Sequence, residues 1–356
     1  MVFRPDVPFE LPELPPSAHL LTPDVAQALL LARVELGELK GYSLAMPNPM
    51  LLLSPAIVRE SVASSEIENI HTTVEVALQQ VLFPEAERRP ADKEVLRYGD
   101  AVRWGMENLA DLTLSSRLIT GIQQRLLPVQ MPAYRQTPNN IVNSVTNEVI
   151  YSPPRASEIG RLMGNWERFI DRPVNDLDPL LRCVIGHYQF EAIHPFGDGN
   201  GRTGRILMIL QLVQEQLLMQ PTLFISGYIN RHRPEYYRRL LAVSAGAEWE
   251  PYLLFMLRGF YEQARATKET LLAVMQELAL LKEHVRRLPQ RIGTEVVEAV
   301  FAHPVATPTV VGRYTGQHYK TASRQLATLA ENDLLEQRTV GRYQLYLNRP
   351  LLKLLS

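Results

Sequence analysis

The sequence predicts a mainly α-helical protein with one short β-hairpin near its middle and a winged-helix domain at its C-terminal end. Three observations lead there. Apolar residues recur at helical spacing through most of residues 22–287. One stretch, YRQTPNNIVNSVTNEVIYSPP, instead alternates β-branched and polar residues before a Pro-Pro stop, the pattern of a hairpin. From Thr294 the pattern becomes helix, helix, turn, helix, hairpin, the order of a winged helix.

The first twenty residues are rich in proline and lack periodicity, so an extended surface arm is expected. Thr22 as N-cap, Pro23 at the first helical position and Gly41 as a stop delimit the first helix. Ser54-Pro55 opens a second helix over PAIVRESVASSEIENI. Four more helices lie in ADKEVLRYGDAVRWGMENLADL, SRLITGIQQRLL, ASEIGRLMGNWERFID and DLDPLLRCVIGHYQFEAI. A long helical run from Pro251 to about Arg287 ends near Pro289, a natural boundary. In the last segment TEVVEAVFAH reads as a helix, Thr315-Gly316 as the turn between two more, and Gly341 as the turn of a hairpin in EQRTVGRYQLYLN. The expected divisions are 1–110, a helical region; 111–287, a core; and 288–356, the winged helix.

Composition is that of an ordinary globular protein: 356 residues, 46% hydrophobic, 21% charged, formal net charge -1. Overall charge gives no reason to bind nucleic acid or membrane. The single cysteine, Cys183, excludes an intramolecular disulfide and a Cys-rich zinc site, and is expected as a small buried apolar residue. The N-terminus lacks a basic region followed by an apolar run, and the most apolar helical stretch, ILMILQLVQEQLLM, is broken by polar residues. A cytoplasmic protein without membrane contact is expected.

The chemistry concentrates in His194–Arg205, HPFGDGNGRTGR, which holds a histidine, an acid, four glycines and two arginines. Gly199, Gly201 and Gly204 match G-x-G-x-x-G, but the hydrophobic strand a dinucleotide fold needs before the glycines is missing, and arginines stand where small residues belong. A Walker loop also fails, for want of Gly-Lys-Ser/Thr. An apolar helix starts near Asn200, directly after the first glycines, so its bare N–H groups and the positive end of its dipole form an anion site. Arg202 and Arg205, three apart, add two guanidinium groups, which specifies phosphate. Asp198 beside phosphate makes sense with Mg²⁺ between them. His194 is then a general base for an incoming hydroxyl, and Phe196 an inward anchor. Together the parts specify in-line attack on a nucleotide phosphate.

HPFGDGNGRTGR resembles the Fic family motif, His-x-Phe-x-Asp/Glu-Gly-Asn-Gly/Lys-Arg-x-x-Arg, at every defined position. The resemblance implies a Fic helical core with a β-hairpin flap, and transfer of AMP from ATP to a Tyr, Thr or Ser hydroxyl of a target protein or of the chain itself. It also implies His194 as base, Asp198 as Mg²⁺ ligand, and Gly199, Asn200, Gly201, Arg202, Thr203, Gly204 and Arg205 around ATP. SSEIEN resembles the family's inhibitory pattern Ser/Thr-x-x-x-Glu-Gly/Asn through Ser64, Glu68 and Asn69. By that resemblance Glu68 pairs with Arg205 and displaces the γ-phosphate; physically, one guanidinium cannot serve a carboxylate and a phosphate at once.

The hairpin lies where the family's flap lies, and Ile141, Val142, Asn143 and Ser144 are the expected edge on which a target segment docks by strand addition. SGYINRHRPEYYRRLLAVSAGAEWE resembles the segment that closes over adenine, with Tyr236 and Tyr237 as candidates for the nucleotide or the core; Ser244 stands where some relatives carry Asn. In the winged helix, Lys320 and Arg324 on the recognition helix and Arg338 and Arg342 on the wing are possible DNA contacts, although seven Lys or Arg against five Asp or Glu from Thr294 onward is a weak charge bias. Such modules also serve as protein or homodimer contacts. The expected activity is thus protein adenylylation restrained by Glu68, with a nucleotide-sensing DNA-binding regulator, or removal of AMP by the same site, as alternatives.

Overall fold

The computed structural model describes residues 3–46, 50–131, 133–142, 146–171 and 177–355, with the backbone alone for 50–52. Thr22 opens the first helix as its residue type suggests, its hydroxyl accepting the N–H of Val25 at 3.3 Å. That helix, α1 (Pro23–Ala45), continues four residues past the expected stop. Gly41 stays helical because a glycine only weakens a helix interior unless the chain also turns there. The second helix, α2 (Met50–Ile67), begins before Ser54 and contains Pro55. The ring removes one i→i−4 hydrogen bond, the one that would have gone to the carbonyl of Leu51.

Next in chain order come α3 (Val74–Gln80), α4 (Pro90–Leu112), α5 (Ser116–Leu126), the hairpin β1 (Ile141–Val142) and β2 (Val149–Tyr151), α6 (Ile159–Asp171), α7 (Pro179–Ile193) and α8 (Asn200–Gln214). Beyond these lie α9 (Ser226–Arg231), α10 (Arg233–Gly246) and the long α11 (Trp249–Arg287). The last segment holds α12 (Thr294–Ala302), β3 (Val305–Ala306), α13 (Pro308–Thr315), α14 (Tyr319–Glu331), β4 (Glu336–Val340), β5 (Tyr343–Leu347) and α15 (Arg349–Leu355). The short β3 and the terminal α15 had no counterpart in the sequence pattern.

The chain packs as two compact units, neither continuous in sequence: Met1–Lys40 with Arg97–Arg265, and Gly41–Leu96 with Ala266–Ser356. At the centre of the first, α7 and α8 are buried almost all round, as helices without a polar face must be. Their interior polar groups find partners: Arg182 pairs with Glu215 at 2.7 Å, and the indole N–H of Trp166 donates to the carbonyl of Gly186 at 2.8 Å. Cys183 is buried, and burial raises its thiol pKa, as expected of an inert core residue. The N-terminal arm is strapped to this unit. Asn165 exchanges two hydrogen bonds with the main chain of Leu14, at 2.7 and 3.0 Å, and the rings of Phe3 and Phe9 pack on Tyr151.

In the second unit α2 packs on α12 and α15, and the strands form an antiparallel sheet in the order β3-β5-β4. With α12, α13 and α14, this is the order of a winged helix. Its turns fall where predicted, at Gly316 (φ 69°) and Gly341 (φ 56°). Arg349 and Arg338 both pair with Glu75 and Glu336, tying α15, β4 and α3 together. Arg349 first, then Arg338, pulls the Glu336 pKa down to about 2.

Candidate active site

The loop between the two most buried helices carries the motif, so its position is set by the core. Asp178 starts α7 by accepting the N–H of Leu180 at 2.8 Å. His194 ends it in a left-handed turn, φ 50° and ψ 59°, its N–H donating to the carbonyl of Phe190 at 3.0 Å. A non-glycine residue in that conformation costs of order 1 kcal/mol and persists only when its surroundings hold it. The imidazole Nδ1 lies 3.3 Å from the carbonyl of Glu191. A carbonyl only accepts, so Nδ1 carries a proton, and in the neutral form of the ring the basic lone pair is on Nε2.

Three buried side chains shape the loop beyond His194. Phe196 is 1% exposed, with its ring 5.5 Å from that of Tyr134, so it is the inward anchor the sequence suggested. Asn200 folds its amide back onto Phe196, accepting the N–H at 2.8 Å and donating to the carbonyl at 2.8 Å. Its side chain therefore closes the loop, and its main-chain N–H belongs to the first turn of α8. Gln123 on α5 donates to the carbonyl of Asp198 at 2.7 Å and accepts from the Thr203 hydroxyl at 2.9 Å. Thr203 is fully buried and its N–H donates to the carbonyl of Gly199, so it supports the loop.

Gly199 caps α8 with φ 76°, and its N–H goes to Asp198 Oδ1 at 2.6 Å. The next N–H groups, of Asn200, Gly201 and Arg202, start the helix and have no acceptor within it, which makes this end an anion site. Arg202 and Arg205 are 3% and 1% exposed, so two guanidinium groups stand by that end in a region largely screened from water. Arg202 Nη2 lies 3.8 Å from Asp198 Oδ1, while the Asp198 side chain is 59% exposed. A Cβ at Gly204 would meet the end of the Glu191 side chain, whose carboxylate would have to shift. His187 lies on the same wall, its Nε2 2.7 Å from the Tyr236 hydroxyl. Burial, and then the nearby Arg205 charge, push the His187 pKa down to about 3, so it stays neutral.

Tyr236 is 1% exposed and bound to His187, the arrangement of the core alternative. Tyr237 is exposed, with Arg233 over its ring at 6.0 Å. In the hairpin Ile141 pairs with Tyr151 and Val142 with Val149; Ile141 is half-buried and Val142 exposed, while Asn143 and Ser144 lie outside the described residues. In the second unit Ser64 is buried and Glu68 and Asn69 are exposed. Asn69 (φ 61°) terminates α2 in the left-handed conformation, and the N–H of Ile70 donates to the carbonyl of Ser65 at 3.0 Å, a Schellman-type end. Lys320 and Arg324 are exposed on α14. Arg342 is held by Glu87 at 2.7 Å, so the wing offers less to phosphate than the sequence suggested.

Sequence reasoning missed Gln123 and Arg135. Gln123 was findable: it shares the buried face of α5 with Ile119, Ile122 and Leu126, where a polar side chain must have partners. Arg135, in a polar loop, carried no such signal.

Three family patterns match the chain in succession: "Fic/DOC family N-terminal" over residues 26–107, "Fic/DOC family" over 112–212, and "Protein adenylyltransferase SoFic-like, C-terminal domain" over 265–351. The chain belongs to the Fic family. Among curated proteins, this Fic chain is similar to the "Protein adenylyltransferase Fic" of Drosophila grimshawi, 29% identical over 151 residues, and of Drosophila erecta, 31% over 105 residues. Those matches cover 42% and 29% of this chain, and 28% and 20% of the two relatives. A Fic family protein from Desulfovibrio desulfuricans has a similar fold, with a TM-score of 0.57 at 22% identity over 92% of this chain and 97% of that one. Fic-1 (aa134–508) from C. elegans gives 0.54 at 18% identity over 71% and 74%. The Fic fold is thus shared well beyond the motif.

Proposed function

We propose that this Fic protein transfers AMP from ATP to a hydroxyl side chain of a protein target, itself included, and that Glu68 restrains the reaction. The observation that carries the reading is a histidine, its Nδ1 against the Glu191 carbonyl, in the loop that leads to a helix N-terminus flanked by two buried arginines. The hydroxyl oxygen attacks the α-phosphorus of ATP and its proton passes to His194 Nε2. The bond from the α-phosphorus to the bridging oxygen breaks, and pyrophosphate leaves. Arg202, Arg205 and the first N–H groups of α8 oppose the charge that develops on the phosphates. The names of the curated relatives support the same chemistry.

The residues present fit Mg²⁺ arriving with the nucleotide. Asp198 keeps an exposed carboxylate whose Oδ1 alone is used by the loop, and the described residues hold no group of three ligands that would bind a metal by themselves. Mg²⁺ held by one carboxylate and phosphate oxygens would neutralise phosphate charge. Tyr237 is the exposed aromatic for the adenine side, and Ile141 with Val142 the described part of the docking edge. Restraint by Glu68 rests on the resemblance of SSEIEN and on competition for the Arg205 guanidinium.

The test is label transfer. ATP labelled at the α-phosphate should mark the protein or a target, more strongly in Glu68→Gly and not in His194→Ala. Label from γ-labelled ATP alone would sink the reading in favour of phosphoryl transfer. The winged-helix order and the exposed Lys320 and Arg324 favour one second reading, a DNA-binding regulator that senses nucleotide. It requires salt-dependent retention on duplex DNA and unchanged behaviour of His194→Ala.

A further inference from the structure

The two roots of the hairpin and the histidine turn converge on one buried cation. Arg135 is 6% exposed. Its Nε donates to the carbonyl of His194 at 2.8 Å, Nη1 to that of Thr137 at 3.0 Å, and Nη2 to those of Pro154 at 2.6 Å and Ile193 at 3.4 Å. Its own N–H donates to the carbonyl of Pro195 at 2.9 Å. Thr137 and Pro154 flank the hairpin, and Ile193 and His194 end α7. A second bridge runs alongside: Asn139 Nδ2 donates to the carbonyls of Phe196 and Gly197 at 3.2 and 3.0 Å. The Tyr151 hydroxyl on β2 adds a third, donating to the carbonyl of Ala192 at 2.9 Å.

The physical logic is specific to arginine. The last carbonyls of a helix lack N–H partners and form the negative end of its dipole, where a cation is stabilising. The acceptors of Arg135 are all main-chain carbonyls, spread over three segments, and only a planar fork with five donors reaches them together. A lysine would keep the charge and lose the geometry. The carbonyl taken by Nε belongs to His194, the residue held left-handed, so the same contact helps to fix the backbone from which the imidazole projects.

We propose that Arg135, seconded by Asn139, is a positioning residue for the transfer: it clamps hairpin and histidine turn into one rigid jig, so that a segment docked on the hairpin presents its hydroxyl at His194 Nε2. The proposal rests on the AMP-transfer reading. It makes the hairpin a fixed reference for alignment and not merely a docking edge.

The test compares Arg135→Lys and Asn139→Ala in the Glu68→Gly background. Initial rates of labelling by α-labelled ATP are measured on the protein itself and on acceptors in a cell lysate, together with affinity for a non-hydrolysable ATP analogue and amide exchange. A misplacement of about 1 Å is expected to lower the saturated labelling rate on the order of 100-fold. Affinity for the analogue should hold, because the bonds of Arg135 go to the hairpin roots and to residues 193–195 and not to Gly199–Arg205. Amides 137–142, 146–154 and 193–197 should lose protection together. An unchanged saturated rate in both variants, or a loss that appears only in the KM for ATP, overturns the proposal. If Arg135→Lys unfolds, Asn139→Ala decides by the same readouts, since it removes two bonds from a half-exposed side chain. If the Glu68→Gly parent transfers no AMP, the activity reading falls, and exchange still judges the jig: independent opening of hairpin and histidine turn refutes it.

Discussion

Replacing Gly199 by alanine tests how the loop after His194 is held. Gly199 has φ 76°, and an alanine there costs about 1–2 kcal/mol for its left-handed backbone. The new Cβ would also stand 3.1 Å from Leu127 Cδ1 and 3.3 Å from Gln123 Oε1. Crowding of that kind adds about 1–3 kcal/mol. The sum, about 2–5 kcal/mol, falls on the side chain that bridges Asp198 to Thr203. Gly316 is the control, with φ 69° and nothing within 4 Å of a Cβ, so its alanine variant should cost only the backbone term of about 1–2 kcal/mol. Amide exchange of the first turns of α8 and of α13–α14 reads the two costs locally, each in its own unit. Binding of a fluorescent ATP analogue should weaken in Gly199→Ala and not in Gly316→Ala. Equal costs, within about 0.5 kcal/mol, would refute the idea that Leu127 and Gln123 press on Gly199.

The wall behind the loop gives two more expected outcomes. Tyr236→Phe leaves His187 Nε2 without the hydroxyl now 2.7 Å away and should destabilise by about 1–3 kcal/mol in urea unfolding, whereas exposed Tyr237→Phe should stay within about 0.5 kcal/mol; similar losses for both would refute the core assignment of Tyr236. His187 has a folded pKa of about 3 against an ordinary histidine value of 6.5, so between those limits the unfolded chain binds more protons and stability falls as the pH is lowered. Urea midpoints at about pH 7, 5.5 and 4.5 should drop less steeply in His187→Gln than in the parent, and parallel curves would count against it. Glu336, with its pKa held at about 2, adds to the loss below about pH 4.5.

Much of the site was legible because its parts are adjacent in the chain. His194, Asp198, Arg202 and Arg205 lie within twelve positions, and the glycines announce a helix N-terminus. Helices with strong periodicity, such as α5 and α6, were legible for the same reason, as was the hairpin from its alternation. The partners of Asn200, Thr203 and Tyr236 were not legible because sequence shows residue type and not direction: each turns polar atoms into the protein, toward Phe196, Gln123 and His187. Residues 41–96 pack with residues 266–356, a grouping that no local composition shift marks.

Residue order alone points to the helical class, the winged order of the last segment and the phosphate chemistry proposed for HPFGDGNGRTGR, since each depends on spacing within one or two elements. Which groups hold that chemistry in place is settled by packing. Gln123 is 75 positions from Asp198, and Arg135 is 59 from His194. A hydrogen bond across that separation depends on how α5, the hairpin and α7 pack, because the donors find their partners only after the helices have buried their apolar faces.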